Sequence, residues 1–192
     1  MSMGPDFSGG DVPQRSFSER LVGAIRLDAT VYEEVEHTPE AMGQAATVVA
    51  LAVVAQVFGT QDDTGLAGGA FVLVGLVAGF ASWFVGTGII WLVGVRLMNH
   101  TSDYAELLRT LGFASAPHVL YVFGALPLGM GAPLLTLTVS ALGLCAWVIA
   151  ARQALDVTTG RAVLICLLGV FVQTLTLTFL VLAAAGMLAA GG

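Results

Sequence analysis

One histidine and three serines are the side chains best equipped for covalent chemistry within the apolar stretches of this chain. His118 is the single ionisable group inside an apolar run, and Ser82, Ser115 and Ser140 could act as nucleophiles beside such a base. The surrounding sequence does not organise them, because no Gly-x-Ser-x-Gly elbow is present. A hydrogen-bonded packing role for His118 is therefore the stronger expectation, with a functional role the alternative. Gln173, with Thr174, Thr176 and Thr178, makes the last run locally polar. Threonine hydroxyls bond back to their own helix carbonyls, so packing is expected over a solute path. Gln44 and Gln56 read the same way. No Asp, Glu or Arg sits mid-run, which removes both an aspartyl-protease pair and a carboxylate proton relay. A His-Glu-x-x-His zinc motif, phosphate loops and dinucleotide fingerprints are also missing. Cys145 and Cys166 lack metal spacing and read as small buried hydrophobes at similar depth, near enough to be bridged. The expectation is a protein that is not an enzyme, with no catalytic residue, no metal and no cofactor.

The elements that carry these residues follow from composition. The chain is 57% hydrophobic and 10% charged, against about a quarter charged in a soluble domain. So few charges cannot cover a globular core, which predicts an all-α integral membrane protein. The apolar runs are continuous rather than alternating, so they are helices and not barrel strands. Their lengths predict a five-helix transmembrane bundle over about 41–59, 69–98, 113–128, 132–151 and 162–189. No cleavable secretory signal is expected in the first 40 residues. Gly75, Gly79, Ser82 and Gly86 form a small-residue stripe suited to close helix packing at the centre of the bundle, with dimerisation as the alternative.

Residues 1–40 form a separate N-terminal segment with eight acids and three arginines, net −5. Residues 1–14 are rich in Gly, Pro, Asp and Ser and are expected to be disordered. Two short amphipathic helices follow over 16–37. Ser16 and Glu19 fit a capping box, and Asp28 can cap the second helix, with Val31, Tyr32 and Val35 on one face and Glu33, Glu34 and Glu36 opposite. The pair is expected to pack on the membrane domain at 41–192, a partner-docking surface being the alternative. Thr38-Pro39-Glu40 reads as the start of the first span.

Between the second and third spans, Tyr104, Leu107, Leu108 and Leu111 make one apolar stripe, which predicts an interfacial helix before the third span. Thr101 or Ser102 is expected to cap it, Glu106 and Arg109 to pair on its polar face, and Gly112 to close it in a left-handed turn. Pro117 is expected to kink a span that begins near Phe113. All seven cations are arginine, and all fall on one side of a five-span alternation. The positive-inside rule then puts the N-terminus in the cytoplasm and the C-terminus outside the cell membrane. The net charge of −6 carries no nucleic-acid footprint.

The piece Leu111-Gly112-Phe113-Ala114-Ser115-Ala116-Pro117, the acidic N-terminal helices and the five-span topology together resemble the Yip family of Ypt/Rab-interacting membrane proteins. That family has a Gly-aromatic-x-x-x-Pro element entering the third span, whose places Gly112, Phe113 and Pro117 take. Leu27–Val35, Arg152–Leu155 and Thr159–Ala162 look like the bacterial branch. The resemblance covers about residues 15–182. It implies a scaffold or adaptor whose partners are the lipid bilayer and an unidentified protein on the cytoplasmic face, with a second copy of the chain as a further partner. Eukaryotic members bind prenylated GTPases. Their N-terminal Asp-Leu-Tyr-Gly-Pro motif is absent here, so GTPase binding is not carried over. The rival expectation is a small-solute transporter or channel, which a continuous polar groove would favour.

Overall fold

The computed structural model describes residues 14–59, 69–97, 102–129 and 131–190, the side chains of 69–71, 96, 97, 173 and 176–190 being outside the description. Expectations that fall on residues 1–13, on the 60–68 loop, on Thr101 or on the side chains of Arg96, Gln173, Thr176 and Thr178 lie outside the described residues. Among the described residues the chain is helical, with no strand. Helices α1 (Phe17–Ile25) and α2 (Ala29–Glu36) precede α3 (Ala41–Gly59) and α4 (Gly69–Trp91), which continues as a π-helical turn over Leu92–Leu97. Helix α5 (Tyr104–Phe113) leads into a 3₁₀ helix (Ala116–Ala125), followed by α6 (Gly131–Ala154) and α7 (Thr159–Ala190). Among the described residues three segments are long and apolar enough to cross a membrane: Ala41–Gly59, Val72–Val95 and Gly131–Ala154. In α7, 32 residues long, the described stretch Thr159–Val172 is apolar as well.

Local chemistry starts and stops the short helices. The Ser16 backbone N–H donates to Glu19 Oε2 at 2.8 Å, and the Glu19 N–H donates to Ser16 Oγ at 3.4 Å, completing the capping box. Leu27, at φ 62°, closes α1: its N–H donates to the Ala24 carbonyl at 3.1 Å and that of Asp28 to the Gly23 carbonyl at 3.0 Å. Asp28 then caps α2 by accepting from the Thr30 N–H at 3.0 Å. Asp156, at φ 49°, closes α6 by the same pair of bonds, to the carbonyls of Gln153 and Arg152. Before α3 the Thr38 hydroxyl donates back to the Glu34 carbonyl at 2.7 Å, while the Thr38 carbonyl accepts from the Ala41 N–H. Thr38 thus serves the end of α2 through its side chain and the start of α3 through its backbone. Gly129, at φ 52°, makes the turn into α6.

The core gathers where α2 and α5 meet α3, α4 and α6. Tyr32, Ile90, Leu107, Leu111, Phe113, Leu155 and Ile165 are fully buried there. Helix α3 is the most enclosed of the three long apolar segments, a third of its apolar window being buried against under a quarter for α4. The stripe on α4 faces α3: a Cβ on Gly75 would lie 2.9 Å from Val57 Cγ2, and one on Gly79 would overlap Val53. Gly86 is buried and Ser82 half-buried. The other face of α4 presents Leu73, Val74, Val77, Phe84 and Val85 outward. The central place belongs to α3, which packs on α4, α5 and the 3₁₀ helix.

The α5 leucines Leu107, Leu108 and Leu111 face the bundle as expected, and the opposite face is covered as well. Every residue from Leu107 to Phe113 is buried, because α2 and α6 cover the side turned away from α3 and α4. Its aromatic fastenings are the Trp83 indole donating to the Leu108 carbonyl (3.0 Å), the Tyr104 hydroxyl donating to the Phe84 carbonyl (2.9 Å) and the Trp91 indole donating to the Ser102 carbonyl (3.3 Å). The N-cap is Asp103 rather than Ser102, and the Asp103 N–H donates to Glu106 Oε2 at 2.8 Å. Glu106 is thereby used as a cap and not as the partner of Arg109. Nor is Gly112 a left-handed terminus. It is helical and buried, and a Cβ there would lie 2.8 Å from Ala45 Cβ and 3.0 Å from Trp83 Cζ2. Its requirement is close approach, not backbone freedom.

The third apolar run is not a kinked α-helix over 113–128. The α-helix stops at Phe113, Ala114 and Ser115 turn, and the 3₁₀ helix begins with Pro117 in its first turn. A proline there sacrifices no internal amide bond. At about 2.0 Å per residue the 3₁₀ form stretches further than α-helix at 1.5 Å. It runs beside α3, with Gly112 against Ala45 at one end and Gly124 against the Gly59 carbonyl at the other.

Candidate functional site

Two sets of polar groups stand out within this frame. The first is a crevice of about 120 Å³ between α3, α4, the 3₁₀ helix and α6. Gln56, Ser82, Ser115 and His118 contribute its polar lining, and Trp83 and Trp147 wall it. The break after α5 creates it, since the turn at Ala114–Ser115 brings Ser115 and His118 to face α3 and α4. The Ser115 hydroxyl contacts the Leu111 carbonyl at 3.5 Å, and the His118 N–H donates to the Ser115 carbonyl at 3.0 Å. Gly143 on α6 leaves room for the imidazole: a Cβ there would come within 2.7 Å of His118 Nε2. The ring stacks on Tyr121 with centroids 5.9 Å apart. The hydroxyls of Tyr121 and Ser140 share a hydrogen bond of 3.0 Å, which takes Ser140 away from the crevice.

Of the candidate residues, the structure thus brings His118, Ser82 and Ser115 together and leaves Ser140 apart, Gln173 lying outside the described side chains. At a share of roughly 30 Å³ per water, the crevice has room for about four waters or one small polar group. Its imidazole, amide and hydroxyls can hydrogen-bond such a guest. Gly112, Phe113 and Pro117 sit at the junction of α5 and the 3₁₀ helix, all buried, and do not line the crevice. Among the described residues no cluster of three His, Cys, Asp or Glu has the arrangement to hold a metal. Cys166 is buried with its thiol 3.5 Å from the Trp147 carbonyl, whereas Cys145 is exposed. Cys166 thus turns inward and Cys145 outward.

The second set ties the N-terminal helices to the bundle. Arg20, 2% exposed, pairs with Glu34 Oε1 at 2.8 Å and donates to Gln44 Oε1 at 2.8 Å, which joins α1, α2 and α3. Arg15 holds the other Glu34 oxygen at 3.2 Å. Arg109, 7% exposed, donates from Nε to the Val35 carbonyl at 3.1 Å and from Nη2 to the Glu36 carbonyl. A cation at a helix C-terminus meets the negative end of the dipole and its unpaired carbonyls. Sequence reasoning placed Arg109 on a polar face. The available signal was its position between Leu108 and Leu111 in a stretch flanked by apolar runs on both sides.

Charge at this seam is unbalanced. Burial pushes the Glu36 carboxyl up to about 7, with His37 opposing and Glu106, Asp156 and Glu33 reinforcing the rise. His37 is itself raised, first because its Nδ1 contacts the Glu33 carbonyl at 2.9 Å. Burial also raises the Tyr32 phenol, whose hydroxyl donates to the Ala24 carbonyl at 3.0 Å.

Comparison with known proteins agrees with the apolar helices in pointing to a membrane protein. The family model of the Yip1 domain matches residues 29–187, from the start of α2 to the last turn of α7. No curated protein and no solved structure matches the chain. The match spans most of the sequence and includes Gly112, Phe113 and Pro117. The chain belongs to the Yip family of membrane proteins.

Proposed function

We propose that this is a non-enzymatic, multi-pass membrane protein of the prokaryotic-type branch of the family. Its work is that of a scaffold or adaptor, offering its N-terminal helices to a protein partner on the cytoplasmic face. The carrying observation is the anchoring of those helices: buried Arg20 and Arg109 fix them to the bundle, while Glu19, Asp28, Glu33 and Glu40 stay exposed. A fixed helical pair with outward carboxylates suits presentation to a partner. The closely packed Gly75 and Gly79 contacts with α3 support a structural bundle.

Five crossings are part of the proposal. Helices α3, α4 and α6 supply three, α7 is 32 residues long, and the run from Gly112 at the end of α5 through the 3₁₀ helix to Gly124 keeps pace with α3 from the level of Ala45 to that of Gly59. With Arg15, Arg20, Arg26, Arg96, Arg109, Arg152 and Arg161 on one side, the N-terminus is cytoplasmic and the C-terminus outside. Labelling single cysteines at positions 62 and 156 with an impermeant reagent in intact cells tests the orientation. Position 62 should react. Reaction at 156 alone would overturn it.

The second reading, a small-solute transporter or channel, draws on the His118 crevice. Proteoliposome uptake separates the two. The scaffold reading expects no saturable flux, together with site-specific photocrosslinks from position 33 to one recurrent protein. Saturable uptake abolished by His118→Leu would replace it with transport.

A further inference from the structure

The seam between α2 and the bundle carries more acid than it neutralises. Arg109 spends its donors on the backbone carbonyls of Val35 and Glu36 and not on a carboxylate. The charged groups that act on the Glu36 carboxyl are His37 and Glu33 on α2, Glu106 on α5 and Asp156 in the connection to α7, while the Arg109 guanidinium lies on the Glu36 backbone carbonyl. Arg152 is turned to the Gln153 side-chain oxygen at 3.2 Å. Among the described residues no ion pair joins the Glu36 carboxylate. The carboxylate also sits at the C-terminal end of α2, where the helix dipole disfavours negative charge. Undocking α2 would return the group to water and remove it from Glu106 and Asp156.

We propose that the seating of the N-terminal helices on the bundle is a proton-controlled contact, tightened when the Glu36 carboxyl is protonated and loosened when it is ionised. Acidification of the cytoplasmic side would then lock α1 and α2 down, and alkalinisation would free them. The direction follows from linkage. The carboxyl titrates near 4.5 when free and is raised to about 7 when docked, so the proton favours docking. That contribution is complete below the free value, is lost as pH rises from 4.5, and is gone above about 7. The rise at His37 comes first from its contact with the Glu33 carbonyl, four residues back on α2 itself, so it travels with the helix and does not set the docking.

Hydrogen exchange of the full chain in phosphatidylcholine nanodiscs tests this. Protection of residues 29–37, corrected for the intrinsic pH dependence of exchange, is followed from pH 4.5 to 8.5. It should fall about tenfold as pH rises and level off above about 7, since a half-exposed carboxyl realises only part of its full shift. Glu36→Gln should stay protected across the range. Glu106→Gln and Asp156→Asn should each reduce the fall and end it at lower pH, which decides the matter even where the Glu36 variant does not fold. His37→Asn should leave the fall intact. A flat wild-type profile, or a fall abolished by His37→Asn and untouched by Glu106→Gln and Asp156→Asn, overturns the proposal.

Discussion

Replacing Arg109 by methionine isolates the contact that holds the N-terminal helices. Methionine keeps much of the apolar stem and removes both donors to the α2 carbonyls. A hydrogen bond from a charged donor contributes roughly 1.5–3 kcal/mol, so the two together are worth about 3–6 kcal/mol. Arg109 is only 7% exposed, and relieving the desolvation of its guanidinium returns part of that. The Val35 carbonyl also keeps the Thr38 N–H, at 3.3 Å. The net loss should be about 2–4 kcal/mol, concentrated in α2. Arg109→Lys, whose single ammonium lacks the fork that spans two carbonyls, should lose about half as much. Melting in detergent and hydrogen exchange of residues 29–37 give the two readouts. The rival geometry, a surface pair between Glu106 and Arg109, predicts only about 0.5 kcal/mol. A double-mutant cycle with Glu106→Gln should accordingly show coupling below about 0.5 kcal/mol. A loss under 1 kcal/mol for Arg109→Met with unchanged exchange in α2 would refute the reasoning.

Other substitutions probe the same frame. Leu108→Asp places a carboxylate in the α5 core and should lower stability by about 3–5 kcal/mol, read by detergent melting. Gly112→Ala puts a methyl against Ala45 Cβ and the Trp83 ring, so a loss of about 1–3 kcal/mol is expected, with a change in Trp fluorescence as the second readout. Gly143→Ala should displace the imidazole from the α6 backbone and alter the His118 ring resonances while leaving α1 and α2 exchange unchanged. Asp156→Gly relieves a left-handed residue and should raise stability by about 0.5 kcal/mol, measured by chemical denaturation.

What could be read from the sequence divides along the range of the interactions. The capping box of Ser16 and Glu19 and the Asp28 cap involve partners within three residues, and both stand where the spacing put them. The apolar face of α2 was legible too, since Val31, Tyr32 and Val35 share one side of a short helix and all three are buried. Gly75 and Gly79 announce close approach through size alone, but the partner Val53 lies more than twenty residues away and no local signal names it. Arg109 was misread for the same reason. A charge flanked by leucines looks solvent-facing until α2 is laid across it, and α2 is more than seventy residues distant in sequence.

The 3₁₀ helix shows how a sound length argument reached the wrong geometry. An α-helix starting at Pro117 is too short for a bilayer core, and that is why the sequence alone suggests a kinked span from Phe113. The structure relaxes the other premise, the rise per residue. From Gly112 to Gly124 the chain accompanies α3 from Ala45 to Gly59, which is about 21 Å of α-helix. Twelve α-helical steps would supply only about 18 Å. The eight 3₁₀ steps from Ala116 to Gly124 add about 4 Å over the α-helical rise, which covers the shortfall. Stretching, not kinking, lets a short run keep pace with its neighbour, and it leaves Pro117 in a first turn where its missing N–H costs nothing. The same stretch sets Ser115 and His118 facing α3 and α4, so the crevice and the extended run have one cause. Lengthening this run by two residues to restore α-helical rise should therefore abolish the crevice before it disturbs α3.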